Sequence, residues 1–192
     1  MVTAAERGRE VRQRLLQAAA ELIAERGWTA VSTRMLAERA GVAPGLVHYH
    51  FSSMQAVLVE AAVAATRSLA AQMGPVLAAA GSAEEVLTVL FGMLDAYTGT
   101  DPMSVLFVEA YLAATRDEQL RQALGAVIGE FRQQLGDFLD AHGVPDPQTT
   151  ALVLAAAIDG VLMHRTLLPG PDGAEVVAVL RRFVTTGSED QR

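Results

Sequence analysis

Residues 27–54, GWTAVSTRMLAERAGVAPGLVHYHFSSM, constrain this chain more than any other stretch. Gly27 has the character of a residue just past a helix end. Ser32 can cap a following helix over about 33–40, in which Met35, Leu36 and Ala40 face inward. Gly41 ends that helix and makes a tight turn, and Pro44 suits the first turn of a second short helix running to about His50. Leu46, Val47 and Phe51 are its expected core contacts. Two short helices joined by such a turn form a helix-turn-helix, whose second helix lies in a DNA major groove.

The rest of the chain also reads as helix, with no sustained alternating pattern that would indicate strands. A first helix is expected over about 8–26, with Val11, Leu15, Ala19, Leu22 and Ile23 on one face. Ser52 or Ser53 can cap a helix that Gly74 and Pro75 should end or kink. Further helices are expected over about 82–97, with a Ser82/Glu85 capping box, and over about 102–115, 117–141, 147–168 and 173–185. The last residues, GSEDQR, read as a frayed tail. The expected fold is all-α with about nine helices. An N-terminal three-helix helix-turn-helix DNA-binding domain spans 1–53, and a C-terminal helical ligand-binding and dimerisation domain spans 54–192.

Composition narrows the function. Hydrophobic residues make up 51% and charged residues 19%, enough for a sizeable core and against global disorder. The absence of cysteine excludes disulfides, thiolate zinc sites and cysteine catalysis. No apolar segment follows the basic N-terminus as in a signal peptide, and the longest apolar run, 151–158, is far short of a membrane span. A cytoplasmic location with no membrane partner is expected. Net charge is −7, but residues 1–54 carry seven arginines against five acids, while 55–192 carry eight against seventeen. A mildly basic module on an acidic body is compatible with local phosphate contact.

With the first three helices placed, the chain resembles the tetracycline-repressor (TetR) family of transcriptional regulators. The resemblance runs without a gap over 10–58 and rests on Gly27, Trp28, Ser32, Leu36, Ala37, Ala40, Gly41, Val42, Gly45, Leu46, His48, Tyr49, His50 and Phe51. Three positions depart from the family pattern. His48 stands where tyrosine is usual, Ala43 where a capping serine is common, and Met54 where a phosphate-contacting lysine is typical.

The expected DNA contacts follow from residue chemistry. Ser32 and Thr33 offer hydroxyl and N–H groups to a phosphate, and Arg34 can reach a phosphate or a guanine edge. Ala43, Pro44 and Gly45 open the second helix, where Gly45 permits close backbone approach. His48, Tyr49 and His50 are placed to reach bases or phosphates, and Ser53 adds the start of the next helix. His48 and His50 form an H-x-H, but residues two apart on a helix point about 200° apart, so no metal site is expected. No cofactor is expected either.

The larger domain reads as the control element. Residues 152–163 are apolar nearly all round, and Val176, Val177, Val179, Leu180, Phe183 and Val184 add a second apolar helix. A helix with no polar face is buried on both sides, so a homodimer through about 147–168 and 173–185 is expected, as the resemblance also implies. Candidate lining residues for an effector cavity are Leu90, Phe91, Met93, Leu94, Tyr97, Met103, Phe107, Tyr111, Phe131 and Met163, which plain core packing would equally explain. Asp95, Glu109 and His164 are charges or polar groups among apolar neighbours. Each can fix a ligand's polar group, or be held in a structural pair with Arg132 or Arg165.

The resulting expectation is a ligand-responsive regulator. It would most simply be a repressor that binds double-stranded DNA at a palindromic operator as a homodimer and is released by a small apolar or aromatic effector. The alternative is a dimeric small-molecule-binding or scaffolding protein with a decayed DNA module. A helical enzyme finds no support: there is no nucleophile–base pairing, Gly-rich phosphate loop or H-E-x-x-H spacing.

Overall fold

The structure, a computed structural model, describes residues 3–184. Among these there are ten α-helical segments: α1 (Ala4–Arg26), α2 (Thr33–Ala40), α3 (Pro44–His50), α4 (Met54–Ala71), α5 (Met73–Ala79), α6 (Ala83–Met93), α7 (Pro102–Ala114), α8 (Glu118–Ala141), α9 (Pro147–Arg165) and α10 (Gly173–Leu180). Only Gln72 separates α4 from α5, so the pair counts as one interrupted helix and the expected nine result. Short 3₁₀ turns follow α1, α6 and α10.

The local signals account for most boundaries. The Ser32 hydroxyl accepts from the Met35 N–H at 3.4 Å, and the Ser53 hydroxyl from the Ala56 N–H at 3.0 Å. Gly41 sits in the left-handed region (φ 64°, ψ 42°), where a side chain on Cβ is disfavoured, and it closes α2. Pro44 is in the first turn of α3, where its missing N–H would have no helical partner.

Four expectations are corrected. The first helix begins at Ala4 rather than near residue 8, because Thr3 and Glu6 form a reciprocal capping box. Gly74 and Pro75 do not end a helix. The break comes earlier, at Gln72, and the pair lies in the first turn of α5, where proline displaces no hydrogen bond. Ser82 accepts from Glu85 N–H, but the Glu85 carboxylate reaches Gly81 N–H at 2.9 Å, so the box is only half made. The ninth expected helix ends at Leu180 and passes into a 3₁₀ turn; its last expected residue and the GSEDQR tail lie outside the described residues.

The described residues fall into two compact units, and the division runs within α4, α7 and α8. The first unit holds residues up to Ser68 together with Val105–Leu124; the second holds Leu69–Ser104 and the residues from Gly125 on. The expected 53/54 boundary lies inside the first unit. Val57, Leu58, Ala61 and Ala62 of α4 are buried, as are Leu15, Ala19 and Ile23 of α1 and Val47 of α3, so the first part of α4 belongs with the helix-turn-helix. Trp28 and Phe51 are core residues as expected, but Leu46 is 36% exposed. The segment Met54–Ala79 has the length and mean hydropathy (1.2) of a membrane span by composition, although several of its apolar residues serve this core.

The second unit packs around Phe91, Leu87, Val86, Leu135, Leu139 and Leu154, all essentially inaccessible. Gly173, at the start of α10, is there for space: a Cβ would lie 2.3 Å from the Phe91 carbonyl oxygen.

Candidate nucleic-acid interface

The helix-turn-helix is held by interactions that local sequence rules do not reveal. The Arg12 guanidinium pairs with Glu60 and lies over the Phe51 ring, 4.8 Å from its centroid. Arg14 donates to the Ala40 carbonyl at 3.3 Å, near the end of α2. Arg39 grips Glu25 through two hydrogen bonds of 2.8 and 2.6 Å and reaches Glu21 at 3.2 Å. These bonds hold the Glu25 carboxyl below its ordinary range. Three of the seven arginines in 1–54 are thus engaged inside the fold. The side chains of Arg7, Arg9, Arg26 and Arg34 have no hydrogen-bond or ion-pair partner among the described residues.

On this frame α3 buries Val47 and turns His48 and Tyr49 outward; Tyr49 is 80% exposed. The Tyr49 ring stands edge-on to His50, with centroids 5.0 Å apart and planes 87° apart. His50 is half-buried. Ala43 supplies no side-chain cap to α3, as its methyl side chain requires. A Cβ added at Gly45 would meet no atom within 4 Å among the described residues.

The nominated DNA residues are therefore all carried by this one unit. Ser32, Arg34, Ala43, Pro44, Gly45, His48, Tyr49 and Ser53 are exposed, and Thr33 and His50 are half-buried. The Thr33 hydroxyl donates weakly to the Met54 sulfur at 3.8 Å, so the first turns of α2 and α4 adjoin.

The residues nominated for a ligand separate. Phe107, Glu109 and Tyr111 belong to the first unit; Phe91, Asp95, Met103, Phe131, Met163 and His164 belong to the second. Glu109 pairs with neither Arg132 nor Arg165. Its carboxylate accepts the Trp28 backbone N–H at 2.7 Å and pins the turn after α1. Asp95 does meet Arg165, at 3.2 Å, and also accepts from Gly173 N–H at 2.9 Å, which anchors the start of α10. Both carboxylates thus hold backbone groups in place. Phe91 is a fully buried core residue, Met103 and Phe131 are half-buried, and Met163 and His164 are exposed.

Sequence reasoning also missed two features of the second unit. Arg165 donates to the carbonyls of Leu94, Tyr97 and Pro171, closing one side of a cleft of about 340 Å³. Thr98 and residues 168–172 complete the lining; of the residues nominated for a ligand, Asp95 and Tyr97 reach it. Arg132, half-buried on α8, has a buried Nε with no hydrogen-bond acceptor.

Comparison with known proteins agrees with this geometry. The pattern described as "Bacterial regulatory proteins, tetR family" matches residues 15–61, and that described as "Tetracyclin repressor-like, C-terminal domain" matches 81–186. An HTH-type transcriptional regulator of Mycobacterium tuberculosis is 28% identical over 194 residues, covering 96% of this chain and 98% of its own. The solved structure of the transcriptional regulator SCO7518 from Streptomyces coelicolor A3(2) is 31% identical with a TM-score of 0.74, covering 92% of this chain and 99% of that one. The multidrug binding protein EbrR, solved in complex with imidazole, is 30% identical with a TM-score of 0.67, covering 93% and 97% of the two chains.

Proposed function

Because the chain belongs to the TetR family of bacterial transcriptional regulators, we propose that it is a ligand-responsive repressor that binds a palindromic operator as a homodimer and is released by a small apolar or aromatic molecule. The observation that carries the DNA part is the outward face of α3, where the nearly fully exposed Tyr49 projects beside His48 from a helix anchored by buried Val47. The functional division keeps DNA reading in the N-terminal helices and effector binding with dimerisation in the C-terminal region. A repressor works where its DNA is, hence a cytoplasmic location.

The dimer reading rests on surface left over in the second unit. Thr149, Leu152, Val153, Ala156, Met163, His164 and Leu167 are exposed at spacings that form one stripe along and just past α9. Val179 and Phe183 add exposed apolar surface on and after α10. An apolar patch of this kind on a soluble chain marks an interface, and a two-fold copy of the same stripe is the simplest cover. A two-fold pair presents two α3 helices, which is why a palindrome is proposed.

For the effector, the neighbour EbrR supports the reading because it binds imidazole and has also been solved with malachite green. Met93, Met103 and Phe131 are the nominated residues of the second unit that remain half-buried with no polar duty of their side chains. An effector acts only by preferring one arrangement of the dimer over another.

The test is fluorescence anisotropy against duplexes from the DNA flanking this gene, across a salt series, with Tyr49→Ala as control. Tight binding to one near-palindromic fragment that weakens with salt and is lost in the variant is expected. Weak binding indifferent to sequence and to Tyr49 would favour the second reading, a small-molecule-binding dimer with a decayed DNA module. The feature that favours that second reading is Met54, an uncharged residue beside the Thr33 hydroxyl.

A further inference from the structure

The first turns of α1 lie outside the matched family pattern, which begins at residue 15, yet they continue the helix without a break. Thr3 and Glu6 cap the helix reciprocally, so residues 4–14 continue α1 as a helical arm. The arm is fastened at two points: Arg12 to Glu60 and the Phe51 face, and Arg14 to the Ala40 carbonyl. It also passes close to the reading helix. A Cβ on Gly8 would lie 3.9 Å from His50 Cε1, at the end of α3.

This placement gives Arg7 and Arg9 a defined position. Each lies about 100° around the helix from Gly8, one on either side of the line facing His50. Both are exposed, and neither guanidinium has an ion-pair or hydrogen-bond partner among the described residues, Glu10 included. Glu6, the other nearby acid, is occupied by the Thr3 N–H. Of the remaining uncommitted arginines of the first 54 residues, Arg34 already belongs to the nominated DNA face. Arg26 is at the opposite end of α1, 19 residues and thus about 28 Å away along the axis.

We propose that the arm formed by residues 4–14 is an additional DNA-contacting element, with Arg7 and Arg9 binding phosphates that flank the segment read by α3. This rests on the reading of α3 as the DNA-reading helix. Phosphate is the chemistry that suits the pair. Two guanidinium groups held on a helix without internal acceptors offer point contacts to a backbone, and exposed arginines that release counterions contribute affinity without base preference. The arm also compensates for the missing lysine at Met54 and raises the local charge of a module whose net charge is small.

The test uses the full-length protein and a fluorescein-labelled duplex selected by the wild type from a random-sequence pool. Anisotropy is measured across a salt series for wild type, Arg7→Ala/Arg9→Ala, Arg7→Lys/Arg9→Lys and Tyr49→Ala, with hydroxyl-radical footprints of the first two. Each lost phosphate contact lowers the slope of log K against log salt by about 0.9, so the alanine pair should lower it by about 1.8. It should also lose protection at the flanking phosphates, keep its base preference and melt as the wild type does, while the lysine pair keeps the wild-type slope. An unchanged slope and footprint in the alanine pair, with Tyr49→Ala still abolishing binding, would overturn the role of the arm alone. If the wild type selects no duplex and Tyr49→Ala changes nothing, the reading of α3 falls and the arm proposal falls with it.

Discussion

Three carboxylates show what a lone charge among apolar residues does in this protein. Asp95, Asp101 and Glu109 all accept backbone N–H groups, those of Gly173, of Thr98, Met103 and Ser104, and of Trp28. Their isolation is visible in the sequence, but the partners of Asp95 and Glu109 are 78 and 81 residues away, beyond any local rule. Asp101 is the local case, capping α7 and also receiving the Ser104 hydroxyl at 2.6 Å. Burial by itself raises this carboxyl, but the hydrogen bonds from Ser104, Thr98 and Met103 outweigh it and hold the group below its ordinary range. A depressed value in the folded state means that the stabilisation is present above the unfolded pKa of roughly 3.9 and is lost as pH falls through the folded value. Urea melts at neutral pH should show Asp101→Ala destabilised by about 1 kcal/mol, the typical worth of a cap. The gap to wild type should close on acidification below about pH 4. A gap independent of pH would show that the carboxylate's charge does not matter.

At the scale of elements, caps and breakers carried most of the information. Ser32, Gly41, Pro44, Ser53 and Ser82 mark their boundaries because each acts on backbone groups within four residues. The break at Gln72 was not legible in the same way: Gly74 and Pro75 signal a boundary, but a proline in a first turn starts a helix as well as it ends one. The adjoining first turns of α2 and α4 are a product of packing. Met54 lies against Thr33 there, 3.8 Å from its hydroxyl, and leaves the first turn of α4 without a cation. Met54→Lys should therefore add one phosphate contact and steepen the salt dependence of operator binding by about 0.9 in log–log slope. Anisotropy at several salt concentrations checks this; a slope equal to wild type would mean that no phosphate reaches the junction.

For the whole molecule, the apolar helix α9 illustrates how burial divides. One face, Ala151, Leu154 and Ala155, is core of the second unit; the opposite face exposes Leu152 at 42% and Met163 at 48%. Gly160 is half-buried on this helix, and a Cβ there would meet no other atom of the described residues within 4 Å. A glycine in mid-helix costs about 1 kcal/mol relative to alanine, and nothing among the described residues requires it. Close approach of a partner helix would. Gly160→Leu is accordingly expected to leave the helix content and melting of the isolated chain intact while weakening the dimer at least tenfold, read by sedimentation equilibrium. A variant that dimerises as tightly as wild type would place the interface elsewhere.

The all-helical architecture, the helix-turn-helix and most caps could be read from the chain alone. They depend on hydrophobic period and on residues acting within a turn or two of themselves. The tertiary structure alone decided which arginines are tied down inside the fold, that Glu109 holds the Trp28 turn rather than an arginine, and where the compact units divide. It also decided which face of α9 remains uncovered. Those outcomes turn on groups tens of residues apart meeting in space, and on competition between internal partners and solvent for the same charge. No periodicity within one segment encodes either.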